Sequence, residues 1–224
     1  MKLVNSNWTF SVDFYEGVIE QLVIESPTTM CEVLSEIKKQ CAGEEGQFVL
    51  SDCGKEHSVS QKVDLIVDPF SIDINNKKVI KQLYDELSHV AYEEDNYLNT
   101  QGALSGILNM IEDITEDSRY SLSYSMDVNL QTLFKDYEVK IDVESSSFEE
   151  YIIEYTNAMK DYCDIKLFIL VNLKNYVEKE KMIDLYSTWI YNKINVLLIE
   201  SSQNEILDHE ETWIIDKDMC EIHI

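Results

Sequence analysis

Two stretches of the sequence decide the fold: Lys166-Leu167-Phe168-Ile169-Leu170-Val171 and Ile194-Asn195-Val196-Leu197-Leu198-Ile199. Each is a short, nearly continuous apolar run, which is typical of a strand buried on both faces. Between the two runs, apolar residues recur at helical spacing: Met182, Leu185, Tyr186, Trp189 and Ile190. Two buried strands joined by a helix predict an α/β fold with a doubly covered parallel sheet.

The first third of the chain continues this α/β pattern. Residues 18–25 are an apolar strand candidate, and the segment at residues 26–29 then offers an N-cap. The helix that follows is predicted to end near Gly43. Further strand candidates are residues 47–50, residues 63–67 and, at the edge of the sheet, residues 212–215.

In the middle of the chain, the apolar residues recur with a different period. Apolar residues recur at helical spacing in residues 80–91, in residues 98–114 and, with Asp127 as a candidate cap, in residues 130–134. The sequence therefore predicts a head formed by residues 1–76 and residues 139–224, split by an all-helical leg at residues 77–138. A capping box of Ser147 and Glu150 precedes the first predicted helix after the leg.

Composition excludes several classes of protein. The chain has 224 residues, of which 45% are hydrophobic and 27% are charged, and these are ordinary globular values. No apolar run reaches the roughly 18 residues of a membrane span, and the first residues lack the apolar core of a signal peptide, so a cytoplasmic protein is expected. The five cysteines form no C-x-x-C pair and are expected to be reduced and buried.

The net charge of −25 is the unusual number, and the acid is spread evenly along the chain. Taken alone, this charge speaks against nucleic acid as a partner, because binding to phosphates needs a positive surface. The charge fits three alternatives: a soluble, self-repelling surface, a protein loaded with cations, or a surface that mimics DNA.

Catalytic signatures are absent from the sequence. The turn Glu25-Ser26-Pro27-Thr28-Thr29, where a nucleotide-binding fold would hold its phosphate loop, has neither glycine nor lysine, and G-x-x-x-x-G-K-[ST] occurs nowhere. The four histidines are scattered, and no G-x-S-x-G motif is present. The sequence therefore predicts neither nucleotide hydrolysis nor a catalytic triad.

Carboxylates cluster near the end of the second leg helix. Glu112 and Glu116 repel each other at i, i+4 spacing, as do Asp113 and Asp117. Calcium relieves such repulsion, because it accepts about six to eight oxygen ligands in a flexible geometry. Asp127 lies nearby in the sequence. The alternative is a solvated acidic face in a protein that is acidic throughout.

The few lysines occur in small groups. Lys77, Lys78 and Lys81 fall in the first turns of the first leg helix, where the helix dipole disfavours cations but a docked phosphate backbone would reverse the sign. Further groups are Lys38 with Lys39, and Lys174 with Lys179 and Lys181. Ordinary exposed lysines are the alternative for each group.

Four segments carry a resemblance to a known family: residues 68–83 at the junction of head and leg, residues 166–172, residues 196–200, and the aromatic and acidic close at residues 213–216. In these segments the chain resembles the type II-A CRISPR-associated accessory protein of spacer acquisition. The resemblance extends over nearly the whole chain, including its length and the order of its elements.

This resemblance implies an α/β head like a nucleotide-binding ATPase core without its phosphate loop, with an inserted helical leg. It also implies a homotetrameric ring that binds double-stranded DNA ends without sequence preference, and calcium that holds the leg and supports the tetramer. The family is not known as an enzyme, and it works beside the spacer integrase and the effector nuclease. No membrane and no nucleotide are implied as partners.

Carried over to this chain, the resemblance implies calcium ligands among Glu112, Asp113, Glu116, Asp117 and Asp127. It also implies lysines that line the DNA channel, for which we nominate Lys38, Lys39, Lys77, Lys78, Lys81 and Lys174. The charge of −25 then requires basic groups on the inner wall and acid outside, which screening over ~8 Å at physiological salt permits. The alternative is an acidic protein-interaction module with little or no affinity for DNA.

Overall fold

The computed structural model describes residues 1–144 and 147–224, and these form two compact units. One unit, the head, consists of Met1–Ile74 and Val143–Ile224, and the other, the leg, is Asn75–Asp142. The predicted second head segment, residues 139–224, includes residues 145 and 146, which lie outside the described residues.

The strands all belong to the head: β1 (Lys2–Asn5), β2 (Ser11–Asp13), β3 (Ile19–Ile24), β4 (Phe48–Asp52), β5 (Lys55–His57), β6 (Val63–Ile66), β7 (Leu167–Val171), β8 (Asn195–Glu200), β9 (Glu210–Ile215) and β10 (Glu221–His223). The α-helices, numbered along the whole chain, are α1 (Pro27–Cys41), α2 (Val59–Lys62), α3 (Lys77–Ala91), α4 (Glu94–Glu116), α5 (Leu130–Asp136), α6 (Phe148–Cys163) and α7 (Lys179–Tyr191). A 3₁₀ turn covers Leu173–Asn175.

The predicted parallel sheet is confirmed. Six strands lie in the order β10-β9-β3-β8-β7-β6, and every pairing is parallel except that of β9 with β10. All residues of β3 and β7 are buried, as expected for strands covered on both faces. The strand predicted at residues 212–215 is present as β9, but it is not an edge strand, because β9 pairs with β3 on one side and β10 on the other.

A second, antiparallel sheet of four strands in the order β2-β1-β4-β5 completes the head. Its buried Leu3 and Leu50 share one hydrophobic core with Leu22 of the parallel sheet and with Val33 and Ile37 of α1. The helix α1 therefore contributes to the same core as both sheets. The sequence had indicated only β4 of these four strands.

Two head helices begin at the caps that the sequence predicts. The Ser26 side chain accepts a hydrogen bond from the backbone N–H of Thr29 at the start of α1. The Ser147 hydroxyl accepts from the backbone N–H of Glu150 at the start of α6. No helix in the described part of the chain is long and apolar enough to cross a membrane.

The leg contains three helices and an irregular segment between α4 and α5 at residues 117–129, so the all-helical prediction is only partly right. Asn129, and not Asp127, caps α5, because the Asn129 side chain accepts from the backbone N–H groups of Gln131 and Thr132. The Tyr84 hydroxyl ties α3 to the end of α5 by donating to the Val139 carbonyl over 2.9 Å.

Candidate nucleic-acid interface

The clearest basic feature of the leg is the start of α3. The Asn76 side chain accepts hydrogen bonds from the backbone N–H groups of Lys78 and Val79, at 3.0 and 3.2 Å, and so fixes the first turn of the helix. Lys77, Lys78 and Lys81 follow within this turn and the next, and all three side chains are exposed. The predicted lysine group is therefore presented on a regular, capped helix.

The helix separates this basic face from an apolar one. Val79 and Leu83 are buried and lie one turn apart, whereas Lys77 and Lys81 lie one turn apart on the exposed side. Among the ion pairs of the described residues, none involves Lys77, Lys78 or Lys81. Three positive charges are thus available to an anion in a chain whose net charge is −25.

Lys38 and Lys39 form a second exposed pair, in the last turn of α1. Their position suits a cation, because the carbonyl end of a helix is negative. Val33 and Ile37 on the opposite side of the helix are buried. The structure thus places this pair on the head and the lysines of α3 on the leg.

The nomination of Lys174 as a DNA-binding lysine is wrong. Its side chain is 6% exposed, and its ammonium group lies 2.6 Å from Oε1 of Glu210, whose side chain is fully buried. Glu210 also accepts hydrogen bonds from the Tyr186 hydroxyl and from the backbone N–H of Leu207. Lys174 therefore forms an internal ion pair. The sequence did not indicate this pair, because Glu210 lies 36 positions further along the chain.

A second buried carboxylate adjoins this ion pair. Oε1 of Glu200, at the end of β8, accepts a hydrogen bond from the backbone N–H of Lys174 over 3.2 Å. Burial is the largest cause that raises the pKa of Glu200, the hydrogen bond and charge of Lys174 oppose it, and the nearby Glu210 adds to it, so that the pKa is about 7. The group joins α7 to the strands β7, β8 and β9 and offers no exposed cation.

The acidic cluster lies at the carbonyl end of α4. Glu112, Asp113 and Glu116 are in the last two turns, Asp117 is the C-cap residue, and the last turn contains no basic residue. Both the mutual repulsion of these carboxylates and the helix dipole disfavour this arrangement. A cation in this position would relieve both effects.

The five proposed calcium ligands do not form a cage. Within residues 1–144 and 147–224, no group of three or more histidine, cysteine, aspartate or glutamate side chains is arranged to hold a metal ion. Asp127 is not part of α4 but of the irregular segment that follows it, where its backbone N–H donates to the Ser125 hydroxyl. The side chains as they stand therefore do not fit a calcium site built from one chain alone.

Sequence reasoning missed one surface, an aromatic cluster of Phe70, Phe148 and Tyr176 on the head. A signal for it was present. Phe70 follows β6 by four residues, Tyr176 follows β7 by five, and the carboxyl ends of adjacent parallel strands meet at one edge of a sheet.

The fold and its charges define an α/β protein whose parallel-sheet head is interrupted by a helical leg with an exposed lysine face. Residues 40–219 match the family model described as CRISPR-associated protein (Cas_Csn2). The match covers well over half of the chain, and the protein belongs to this type II-A CRISPR-associated family. The resemblance inferred from residues 68–83 and the other segments is thereby confirmed.

Two solved structures show a weak similarity to this chain. One is an ATP-binding cassette of an ABC transporter in its ADP conformation, with 9% identity and a TM-score of 0.43 over 92% of this chain and 79% of the other. The other, from Pyrococcus furiosus, is described as an ABC transporter ATP-binding protein, with 10% identity and a TM-score of 0.40 over 95% and 97% of the two chains.

Proposed function

We propose that this protein is a non-enzymatic, homotetrameric ring that binds double-stranded DNA ends without sequence preference and acts in the cytoplasm during CRISPR spacer acquisition. The integrase and the effector nuclease of the same system are its proposed protein partners. The observation that carries the proposal is the face of Lys77, Lys78 and Lys81, which is exposed and makes none of the ion pairs found among the described residues.

The chemistry of this face suits a DNA backbone. Free lysines neutralise phosphates and release condensed counterions, and this interaction does not depend on sequence. The N-terminus of the 15-residue helix α3 adds partial positive charge at the same place. Because the chain is strongly acidic elsewhere, binding is expected to be weak and steeply dependent on salt.

The proposed self-association has support in the leg. The helix α4 is 23 residues long and contains no buried residue. Its exposed apolar side chains include Leu98, Met110 and Ile114. Exposed apolar residues on an unburied helix are typical of a surface that another protein covers, and a second copy of the chain is the occupant that the ring requires.

Calcium is the proposed cofactor, and its ligands are proposed among Glu112, Asp113, Glu116, Asp117 and Asp127. Support comes from the crowding of carboxylates at the carbonyl end of α4. Because the described side chains form no three-ligand group, we assign calcium no step in DNA binding. Its proposed part is to neutralise the end of α4, to hold the leg in place and thereby to support the tetramer.

The proposal is tested by fluorescence anisotropy with a short linear duplex, at low and at physiological salt, with closed circular DNA as competitor. The variant Lys77→Gln/Lys78→Gln/Lys81→Gln is expected to lose about tenfold or more in affinity, because each lysine contributes to counterion release. The matched control removes three exposed lysines outside helices, Lys55→Gln/Lys140→Gln/Lys217→Gln.

Equal losses in the two variants would show that general charge, and not the face of α3, determines DNA binding. Competition by closed circular DNA as strong as by linear DNA would contradict loading at ends. Sedimentation velocity on the same samples reports whether the chain forms tetramers.

The second candidate function is an acidic protein-interaction module, which the net charge of −25 favours. It predicts no affinity for the duplex even at low salt with calcium present. That result would exclude the DNA-binding ring and leave protein partners as the ligands.

A further inference from the structure

Three aromatic rings from three separate segments meet on the surface of the head. The rings of Phe70 and Phe148 are stacked, with centroids 4.7 Å apart and planes 18° from parallel. The ring of Tyr176 meets Phe70 edge-on, at 5.1 Å and 82°. Both arrangements are favourable for aromatic pairs, so the three rings hold one another in place.

The topology of the head explains this convergence. Phe70 lies in the loop after β6, and Tyr176 lies in the loop after the adjacent parallel strand β7. Phe148 is the first residue of α6, the helix that leads into β7. In open α/β sheets, the loops beyond the carboxyl ends of the strands are where ligands bind. The rings therefore occupy the functional edge of the sheet.

The cluster is exposed to a degree that needs explanation. Phe70 is 64% exposed, Tyr176 is 52% exposed, and Val67, just before the loop, is 51% exposed. Exposing large apolar side chains is unfavourable, and a fixed, contiguous patch of them marks an interface more often than a free surface. Aromatic anchors of this kind contribute a large share of the binding energy of protein interfaces.

Carboxylates accompany the rings in each of the three segments. Oδ1 of Asp68 accepts a hydrogen bond from the backbone N–H of Phe70 over 3.0 Å. Glu149 follows Phe148 in the first turn of α6, and Glu178 is the N-cap residue of α7, two positions after Tyr176. Two neighbouring cations are already paired, Lys174 with Glu210 and Lys179 with Glu205.

The charge of this surface restricts its partner. Asp68, Glu149 and Glu178 lie within two residues of a ring along the chain and would repel phosphates, so nucleic acid is disfavoured. A two-fold contact with a second copy would place the same carboxylates against one another. A basic protein segment suits both the exposed rings and the carboxylates, because a guanidinium group can stack on an aromatic ring and pair with a carboxylate at the same time.

We infer that the cluster of Phe70, Phe148 and Tyr176 is a docking surface for an arginine-bearing segment of a partner protein. This inference rests on the proposed role beside the CRISPR integrase and effector nuclease, which are the basic-segment donors to test. The surface differs from the lysines of α3, so that protein docking and DNA binding are separable in one molecule.

The test measures binding of the purified integrase and of the purified effector nuclease to the full chain by biolayer interferometry. Phe70→Ser/Tyr176→Ser is expected to weaken binding to one of the two proteins about tenfold or more. Tyr15→Ser/Tyr191→Ser is the matched control, because both tyrosines are largely exposed and make none of the ring contacts described for the head.

A second variant keeps the test valid if the ring variant is unstable. Asp68→Asn/Glu178→Gln removes two charges while Asn retains the acceptor for the backbone N–H of Phe70. It is expected to weaken binding several-fold at low salt and less at high salt. Failure of the wild-type chain to bind either protein, or binding by both variants as tight as that of wild type, would overturn the inference.

Duplex binding and sedimentation of the same variants separate this inference from the proposed function. Docking on the rings predicts that both properties stay at their wild-type values in the ring variant. Loss of duplex binding alone would assign the surface to DNA, and loss of self-association alone would assign it to a second copy. Either result would overturn the proposed protein partner while leaving the ring proposal open to its own test.

Discussion

The side-chain amide of Asn75 binds the backbone of Ile141 in both directions: Nδ2 donates to the carbonyl over 3.0 Å, and Oδ1 accepts from the N–H over 2.9 Å. These two residues lie at opposite ends of the leg, 66 positions apart. The amide thus joins the two passages of the chain at the base of the leg, the unit that extends from Asn75 to Asp142.

Asn75→Ala is therefore expected to loosen the base of the leg. Two hydrogen bonds are lost and the backbone of Ile141 is left without these partners, which costs about 1–3 kcal/mol. Hydrogen exchange followed by mass spectrometry should show roughly tenfold faster exchange at residues 139–142. Asn96→Ala, which removes one exposed hydrogen bond to the Val90 carbonyl, is the control. Unchanged protection at residues 139–142 would show that other contacts hold the base.

The buried ion pair of Lys174 and Glu210 makes a prediction about stability. Lys174→Met leaves Glu210 buried without its counter-ion, and breaking a pair of this kind costs about 3–5 kcal/mol. Urea unfolding should show this loss in the free energy of unfolding. DNA affinity per folded molecule should not change, because the ammonium group is not on the surface. A selective loss of duplex binding without loss of stability would restore Lys174 to the DNA-binding set.

The sequence was sufficient for the parts of the fold that burial dictates. The apolar runs of β3, β7 and β8 are interior strands, and their periodicity differs clearly from that of α3 and α4. The caps Ser26 and Ser147 could also be predicted from the sequence, because each side chain accepts its hydrogen bond from a backbone N–H only three residues further on.

The antiparallel sheet was missed because its short strands carry little pattern. The strand β5 consists of Lys55, Glu56 and His57, without an apolar residue, and it exists through pairing with β4. Asp127 was the predicted cap of α5, but the helix begins two residues further on, and Asn129 caps it. The burial of Lys174 depends on its contact with Glu210, which is distant in sequence. The periodicity of one sequence does not indicate such contacts.

Neutralising the acidic end of α4 is expected to change the thermal stability of the leg in opposite directions without and with calcium. With a chelator present, Glu116→Gln/Asp117→Asn should raise the melting temperature of the leg, because it removes repulsion and an unfavourable interaction with the helix dipole. With calcium present, the same variant should lose the stabilisation that calcium gives the wild-type chain, if these residues are ligands. Differential scanning calorimetry with and without calcium measures both effects.

Glu44→Gln/Glu45→Gln is the control for these two changes, since it removes two exposed carboxylates of the head. It should leave the calcium response intact. A calcium response of the Glu116/Asp117 variant equal to that of the wild-type chain would remove this cluster from the proposed ligand set.

The last prediction concerns Glu20, which lies opposite Glu211 in the pairing of β3 with β9. The Glu20 side chain is 1% exposed, and among the described residues its Oε1 has no hydrogen-bond partner. Burial, and then the negative charges of Glu211 and Asp13, raise the pKa of Glu20 to about 8. The folded protein therefore holds a proton on this group that the unfolded chain releases near its ordinary pKa of 4.5.

The sign of the effect on stability follows from this proton. Because Glu20 is protonated in the folded state and ionised in the unfolded state between pH 4.5 and 8, its contribution to the free energy of unfolding falls as the pH rises through that range. Glu200 acts in the same direction, but only up to its pKa of about 7. Between about pH 7 and pH 8, Glu20 is the larger source of the decline.

Glu20→Gln should reduce the decline in the free energy of unfolding between pH 7 and pH 8. The difference in the free energy of unfolding between the variant and the wild-type chain isolates Glu20, because every other titrating group is common to both. The free energy of unfolding of the variant, relative to that of the wild-type chain, should rise by about 1 kcal/mol between pH 7 and pH 8.5. Urea unfolding at closely spaced pH values measures this difference. Glu44→Gln should show no such gain, since its carboxylate is exposed. A constant difference across this range would show that Glu20 is already ionised in the folded protein at neutral pH, and that β3 and β9 tolerate two opposed carboxylates.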